Sequence, residues 1–358
     1  MSETHHRYRA EDLIQYVTGV LVRLDVPEED ARVGARTLVH ADLMGVDSHG
    51  IAHFATSKGY VPGLRAGLIN PRAQPHIVHE TPSTALFDGD HGLGIVVASK
   101  AMDIAMAKAQ QVGSGFVAVT NSRHFGMSAH YTLKAVERDM IGIAMTNTVP
   151  SVAPTGGLEK RMGTNPIAVA APAGEEHPFN LDIATSAVAA GKLELARLNG
   201  TDIPHGWAID KDGNPTTDPY ILKKGGMLLP LGSTPTLSSY KGYGLGVMVD
   251  IFSGVLSGLG TCRMIDPNTW GMGHFLGAWR IDAFRPAAEF KAMMDELIRD
   301  LRSTKPAPGF ERVLVPGEKE YHTERERRIK GIPLHPNVVG PLIALGEELG
   351  VSFPEPLC

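Results

Sequence analysis

The stretch Gly115–Pro150, GFVAVTNSRHFGMSAHYTLKAVERDMIGIAMTNTVP, decides the fold of this chain. Gly115–Thr120 and Ile141–Thr146 are short apolar runs rich in β-branched residues, which is typical of buried strands. Between them, Ser128–Asp139 has apolar residues at helical spacing, and Ser128 is a candidate helix cap. A strand, a helix and a strand within this length predict a βαβ unit whose two strands are parallel.

One histidine, His124, lies in the polar loop Asn121–Gly126 that follows the first predicted strand. Ligands of open α/β sheets bind beyond the carboxyl ends of the strands, so this loop is the expected place for chemistry. The positive end of the following helix disfavours a charged imidazole, which predicts a neutral ring that can accept or donate a proton near pH 7. His124 is therefore either an acid/base group or a residue that only ties the loop down.

The bulk composition excludes several classes of protein. Its 358 residues include 34 basic and 39 acidic side chains, a net charge of −5 without a basic tract, which argues against a nucleic-acid partner. The longest apolar run, Leu245–Leu259, is interrupted by Asp250 and is too short to span a bilayer. No secretory signal is visible, and Cys262 and Cys358 are far apart in no metal-binding spacing. We expect a cytoplasmic protein with no membrane partner.

A second polar turn, GVDSHGIAH at residues 45–53, comes after two predicted N-terminal helices. We expect another helix to begin near Ile51, with Ser48 and His49 at its N-terminus. His49 and His53 are four residues apart, which suits a metal on one helix face, but no third ligand follows and we predict no metal. The alternatives are that Ser48 is only a helix cap and His49 only a hydrogen-bonded polar group.

Glycines before the predicted helix Ile95–Val112 suggest a phosphate cradle. The sequence Gly89–Gly94, GDHGLG, nevertheless lacks the strict dinucleotide fingerprint. We therefore favour a plain turn.

Asp182 ends a predicted strand, FNLDIA, and is followed by Thr185-Ser186 at the start of a predicted helix over Ala187–Leu198. A carboxylate at a strand end can accept a hydrogen bond from a sugar hydroxyl of a ligand. It can equally cap the next helix. Both interpretations stay open.

Lys241 lies just before a buried helix predicted from Leu245 onward. A cation such as Lys241 is repelled by the positive end of a helix dipole. An anion bound between the lysine and the helix would offset this repulsion. Gly242 and Gly244 allow close backbone approach, so a cofactor phosphate is a candidate. The alternative is a solvated surface lysine.

Seven motifs occur here in the order and spacing of the type-2 malate/L-lactate dehydrogenase family, which this chain resembles over nearly its whole length. They are GVDSHGI, NSRHFG, MGTNPIAVAAPAG, DIATS, KGYGLGVMVDIFSGVLSG, KPAPGF and VPGE. The resemblance implies an α/β fold with a non-Rossmann, nicotinamide-binding sheet, flanking helices, and N-terminal and C-terminal helical regions. It implies a substrate region over residues 1–118, completed by 305–358, and a cofactor domain over 119–304. It also implies a homodimer with active sites near the subunit boundary.

The resemblance also implies roles for individual residues. His124 in NSRHFG matches the acid/base, and Ser48 and His49 match the pair that lines the substrate pocket beside it. The positions that match nicotinamide-cofactor contacts are Thr148, Asp182, Ile183, Ala184, Lys241 and the turn Pro316, Gly317 and Glu318.

One position departs from the family pattern. Many members have an arginine where this chain has His53, and an arginine can grip a substrate carboxylate with two donors. Histidine cannot replace that fork. Either another cation holds the carboxylate, with Arg123 and Arg161 as candidates, or the acid group lies elsewhere. Arg123 is otherwise a residue that ties its loop.

The resemblance implies NAD(P)-dependent hydride transfer at C2 of a small 2-hydroxy or 2-oxo acid resembling malate, lactate or sulfolactate. His124 would accept the hydroxyl proton in oxidation and return it in reduction. The cofactor is NAD or NADP, of which we favour NAD. One alternative is an NAD(P)H-dependent reductase of a cyclic imine 2-carboxylate or N-alkyl amino acid. A remote alternative is a non-catalytic binding protein.

Overall fold

The computed structural model describes residues 6–55, 59–198, 200–269 and 271–357. Its helices are α1 Ala10–Arg23, α2 Glu28–Leu43, α3 Tyr60–Arg65, α4 Gly94–Val112, α5 Ala129–Val136, α6 Ala190–Leu198, α7 Ser239–Asp250, α8 Ala287–Ser303, α9 Glu318–Lys330 and α10 Pro336–Leu349. Its strands are β1 His6–Tyr8, β2 His76–Glu80, β3 Thr84–Asp88, β4 Ser114–Ser122, β5 Met140–Thr146, β6 Ile167–Ala171, β7 Phe179–Ile183, β8 Ala208–Ile209, β9 Pro215–Thr216, β10 Met227–Leu228, β11 Met272–Arg280 and β12 Ile332–Leu334.

A seven-stranded mixed sheet, in the order β2-β3-β4-β11-β5-β6-β7, occupies the centre of the molecule. β3 and β4 are parallel neighbours, with α4 between them in sequence. β11 is antiparallel to both β4 and β5, so these two strands run parallel as predicted but are not neighbours. The α/β class is confirmed, and five of the six neighbouring strand pairs are antiparallel, unlike those of a Rossmann sheet.

Helical segments cover the sheet on both faces because its central strands alternate their apolar side chains. Val117 and Val119 of β4 pack in one cluster with side chains of α4 and α5. Phe116 and Ala118 belong to the opposite face, where they pack with Val249 of α7. This alternation has the period of two that a strand requires.

The N-terminal helices form a separate core with the end of the chain. Buried side chains of α1, α2 and α3 pack with side chains of β12 and α10. β1 pairs with β12, which brings the two ends of the described chain together. The division into residues 1–118 with 305–358 and residues 119–304 stays a prediction.

The carboxyl ends of β3, β4, β5 and β7 lie at one edge of the sheet, which we call the site edge. The strand register places these ends together. Ser122 at the end of β4 pairs with Met272 at the start of β11, and Thr146 at the end of β5 pairs with His274, two residues further along β11. Ile183 pairs with Ile167 at the start of β6. The loops that follow Ser122, Thr146 and Ile183 therefore share this edge.

Two helices begin at residues that differ from the prediction. α7 begins at Ser239, so Lys241 lies in its first turn and not before it. α6 begins at Ala190 and not at Ala187. The reason is that the Thr185 hydroxyl donates to the Thr164 and Asn165 carbonyl oxygens and is not available to cap the helix.

Across the described ranges, no helix combines the length and the apolar character that crossing a bilayer would need.

Candidate active site

His124 lies at the site edge, two residues after β4, and two groups bind its Nδ1. This nitrogen is 2.8 Å from the hydroxyl of Tyr60 and 3.4 Å from the backbone nitrogen of Gly126. The Gly126 N–H can only donate, so Nδ1 accepts, and the neutral ring is assigned its proton on Nε2.

Two further histidines face His124. The His49 ring stacks on it with centroids 5.6 Å apart, and the His53 ring lies at 4.7 Å. Burial, followed by repulsion from His53 and His49, lowers the pKa of His124 well below its usual value. Burial likewise lowers the pKa of His53 to about 4. The predicted neutral imidazole is therefore present, with burial and neighbouring rings as the cause.

The prediction of a helix that begins near Ile51, after the turn with Ser48 and His49, is wrong. This part of the chain forms two short 3-10 turns, Asp47–His49 and Ile51–His53, separated by an extended Gly50. The Ser48 Oγ lies 2.9 Å from His49 Nδ1, so this serine orients the histidine beside it. Within the described ranges, no three His, Cys, Asp or Glu side chains are grouped to hold a metal ion.

The glycine-rich turn Gly89–Gly94 packs against the loop of His124. A Cβ at Gly94 would collide with the carbonyl oxygens of Arg123 and His124, and the Gly89 N–H donates to the Thr120 oxygen at 2.9 Å. These glycines allow backbone to approach backbone. The favoured plain turn is present, and it also fixes the loop that carries His124.

Asp182 connects the predicted cofactor residues to the His124 loop. Its Oδ2 accepts the N–H of Ala129 at 2.8 Å, at the first residue of α5. Ser128 lies at the N-cap position of α5 as predicted, but its side chain makes no cap bond. Asp182 caps a helix as one interpretation proposed, but this helix is α5 and not the one that follows Asp182 in sequence.

Thr148 lies on the loop after β5 at the same edge. Its Oγ1 accepts the Thr164 N–H at 2.9 Å, and its N–H donates to Asn165 Oδ1 at 3.2 Å. The structure thus brings Thr148, Asp182 and His124 to one edge of one sheet.

Lys241 is exposed in the first turn of α7. The neighbouring Gly242 packs on Leu231, whose N–H donates to the Thr185 oxygen two residues after β7. A Cβ at Gly244 would meet no atom within 4 Å. An exposed ammonium group and an open glycine surface fit the phosphates of a dinucleotide.

The two arginines predicted as candidates to hold a substrate carboxylate both bind other groups of the protein. Arg123 donates from Nε to the Leu68 oxygen at 2.8 Å and from Nη1 to the Ser122 oxygen at 3.2 Å, so two donors tie the loop. Arg161 is ion-paired with Glu159.

Glu318 points into the protein, next to Gly317, which packs on β7. Its side chain is 1% exposed, and its carboxylate pairs with Arg302 at 3.0 Å and with Arg312 at 2.9 Å. This carboxylate holds the start of α9 to α8. A cofactor contact by the Pro316–Glu318 turn stays a prediction.

Sequence reasoning missed Tyr60 and His274. His274 on β11 is fully buried, with Nδ1 2.8 Å from Thr146 Oγ1 and Nε2 2.8 Å from Ser122 Oγ. Its ring stacks on Phe125, next to His124, with centroids 4.7 Å apart. A histidine within an otherwise apolar strand was the available signal, whereas nothing local marked Tyr60.

A family model described as malate/L-lactate dehydrogenase matches residues 8–342. The chain is 45% identical to a malate dehydrogenase of Pyrococcus horikoshii, over 98% of each chain. It is 41% identical to an L-sulfolactate dehydrogenase of Methanocaldococcus jannaschii, over 94% of this chain and 95% of that one. Among solved structures, a malate dehydrogenase from Entamoeba histolytica matches with a TM-score of 0.94 and 36% identity, over 98% of this chain and all of that one.

Proposed function

Because the chain belongs to the malate/L-lactate dehydrogenase family, we propose that it transfers a hydride between a nicotinamide cofactor and C2 of a small 2-hydroxy or 2-oxo acid. His124 is the proposed acid/base. The observation that carries the proposal is its ring at the site edge, bound by Tyr60 and faced by His49 and His53. Ser48 and His49 line the proposed substrate pocket.

The proton chemistry follows from the His124 ring. In the oxidation direction, Nε2 accepts the hydroxyl proton of the 2-hydroxy acid, so the neutral ring carries its own proton on Nδ1 and becomes an imidazolium. In reduction, the imidazolium returns the Nε2 proton as the alkoxide forms and is left as the neutral ring with its proton on Nδ1. The Tyr60 hydroxyl oxygen can accept from Nδ1 in both states, because a hydroxyl both donates and accepts. This reacting tautomer differs from the one that the Gly126 contact favours in the structure.

The residues that would hold the cofactor are Thr148, Lys241 and the segment Asp182–Ala184. A bound nicotinamide supplies or takes the hydride. Lys241 and the first turn of α7 would hold phosphate oxygens, and Asp182 would accept from a ribose hydroxyl. The carboxylate of Asp182 would repel a phosphate at the 2′ position, which supports NAD over NADP.

The substrate class is a small 2-hydroxy acid with a second acidic group. The relatives named above are malate and sulfolactate dehydrogenases, and this supports a carbonyl substrate over the cyclic imine alternative. His53 is too weakly basic to replace the family arginine as a cation near pH 7. We keep His53 and Arg123 as proposed substrate contacts, with hydrogen bonding as the contribution of His53.

We further propose a cytoplasmic homodimer. Cys262 is a buried free thiol, which supports a reducing compartment. Exposed apolar side chains after the end of α7 support a second subunit.

The decisive experiment is a fluorescence titration with NADH and NADPH, followed by turnover assays with oxaloacetate, sulfopyruvate and pyruvate, each with and without an amine. We expect NADH to bind more tightly and an acid without amine to be reduced. The variant His124→Ala should lose about 10²–10⁴-fold in kcat, with NADH binding unchanged. His79→Ala, an exposed histidine on β2, is the control. Loss of less than about tenfold in His124→Ala would reject the acid/base assignment.

A further inference from the structure

Asp42, near the end of α2, is buried where a carboxylate is least favoured. Its side chain is 1% exposed, and burial raises its pKa well above the usual value. The C-terminal end of a helix also repels negative charge. Its Oδ2 accepts the Ile51 N–H at 2.8 Å, which offsets part of this cost. The contact anchors the second of the two 3-10 turns.

The side chain of Asp42 occupies the space that a side chain at position 50 would need, so this position requires glycine. The backbone of Gly50 is extended, with φ −89° and ψ −154°, so its conformation alone does not require glycine. A Cβ at this position would overlap the carboxyl atoms of Asp42. The glycine between His49 and Ile51 therefore lets a buried carboxyl group reach the backbone of the turn.

Arg327, from the last turns of α9, binds the other end of the same turn. Its Nη1 donates to the Asp42 backbone oxygen and to Asp47 Oδ1, each at 2.5 Å. The Arg327 side chain is 14% exposed, whereas the Asp47 side chain that it binds is 59% exposed. Asp47 and Ile51 are thus fixed from two directions, and Ser48 and His49 lie between them.

We propose that Asp42 and Arg327 are positioning residues that clamp the segment Asp47–His53 and hold the rings of His49 and His53 against His124. The proposal rests on the function proposed for His124. The clamp acts through the turn, which lies between it and the reacting atoms. A displacement of about 1 Å in such a site can cost on the order of 10²-fold in rate.

The first test compares Asp42→Ala with Asp42→Asn. In Asp42→Ala we expect kcat/KM for the 2-oxo acid to fall about 10–100-fold while NADH affinity stays within about twofold. Asp42→Asn keeps an oxygen for the Ile51 N–H and should recover most of the activity. The control is Asp295→Ala, because Asp295 is a buried carboxylate that binds the N–H groups of residues 174–176 at the opposite edge of the sheet. It should lose thermal stability and keep kcat/KM.

A second pair of variants, on α9, tests the proposal if Asp42→Ala does not fold. Arg327→Met removes the other half of the clamp, and Arg325→Met on the exposed side of α9 is its control. Burial, followed by repulsion from His53 and His49, lowers the pKa of His124. A loosened turn should therefore move the acidic limb of the kcat/KM profile for oxidation of the 2-hydroxy acid, in which His124 must be neutral, to higher pH. A purely structural loss, as in Asp295→Ala, would leave the limb in place.

Hydrogen exchange at the Ile51 amide separates this proposal from the function on which it rests. Protection should fall in Asp42→Ala whether or not the protein reduces any 2-oxo acid. If wild type has no such activity, the proposed function fails and the exchange still tests the clamp. Unchanged kcat/KM and pH profile in folded Asp42→Ala and Arg327→Met, with an active wild type, would overturn the proposal.

Discussion

The hydroxyl of Tyr60 binds Nδ1 of His124 at 2.8 Å and orients the ring. Tyr60→Phe removes this contact and leaves the longer one with the Gly126 N–H, at 3.4 Å, in place. We expect kcat to fall about fivefold, since one neutral hydrogen bond contributes on the order of 1 kcal/mol. NADH affinity should be unchanged. An unaltered kcat would show that the hydroxyl does not position the ring.

A second prediction at this scale concerns acid stability. Burial lowers the pKa of His274 to about 3 and of His53 to about 4, whereas in the unfolded chain both titrate near 6.5. Between about pH 6.5 and these lowered pKa values, the two histidines bind protons in the unfolded state but stay neutral in the folded state. Stability is therefore full above about pH 6.5 and is lost as pH falls towards these lowered values.

For the fully buried His274, the loss at pH 5 is about 2 kcal/mol, from about 1.4 kcal/mol for each pH unit below 6.5. The measurement is urea unfolding at pH 7.5 and pH 5. The variant His274→Gln keeps a polar side chain and should show a smaller difference between the two conditions. Equal free energies of unfolding in wild type at both pH values would contradict the prediction.

Sequence reasoning predicted the place of a residue where a local pattern carries the information. His124 follows a strand as predicted, and the ring of His49 lies next to it. The roles of His124, Ser48 and His49 stay predictions. Tyr60 lies 64 residues before His124, and its contact exists only after the helical core has packed against the sheet edge. Asp42 was missed because a carboxylate near a helix end has the local pattern of a solvated residue.

At the scale of elements, the hydrophobic pattern of the sequence predicted individual strands and helices well, but not which strands lie next to each other in the sheet. β4 covers the predicted strand Gly115–Thr120, and β5 covers the predicted strand Ile141–Thr146. The insertion of β11 between β4 and β5 was not predicted. Local periodicity specifies an element, whereas sheet order depends on which apolar faces fit together.

Two glycines of α7 should respond to substitution in opposite ways. A Cβ at Gly242 would collide with the backbone of Leu231, so Gly242→Ala should destabilise the fold. A Cβ at Gly244 meets nothing within 4 Å, so Gly244→Ala should stabilise the helix by about 0.5–1 kcal/mol. If the cofactor lies on this face as proposed, the same alanine should weaken NADH binding.

Thermal unfolding and NADH titration of both variants test this prediction. Gly242→Ala supplies the control for a loss of affinity caused only by lower stability. Tighter or unchanged NADH binding in a stabilised Gly244→Ala would place the cofactor elsewhere.

At the scale of the whole molecule, two of the surfaces that expose large apolar side chains in the described part of the chain can be compared as subunit interfaces. One continues from α7 and includes Ile251, Val255 and Leu256, each at least half exposed. The other surrounds α8 and includes Phe284 and Leu297. The first lies beside the proposed site, because the Asn147 side chain after β5 donates to Asp250 at the end of α7. The second lies near Ile141 and Ile281, at the opposite edge of the sheet.

The family resemblance implies active sites near the subunit boundary, so we expect the surface that continues from α7 to form the homodimer. A charge in an apolar interface has to be desolvated without a partner, and stable interfaces exclude it. Leu256→Glu should therefore give a monomer in light scattering after size-exclusion chromatography, with reduced kcat/KM. Leu297→Glu places the same charge on the α8 surface and should remain dimeric. If Leu297→Glu dissociates and Leu256→Glu does not, the subunits meet through α8, away from the site edge.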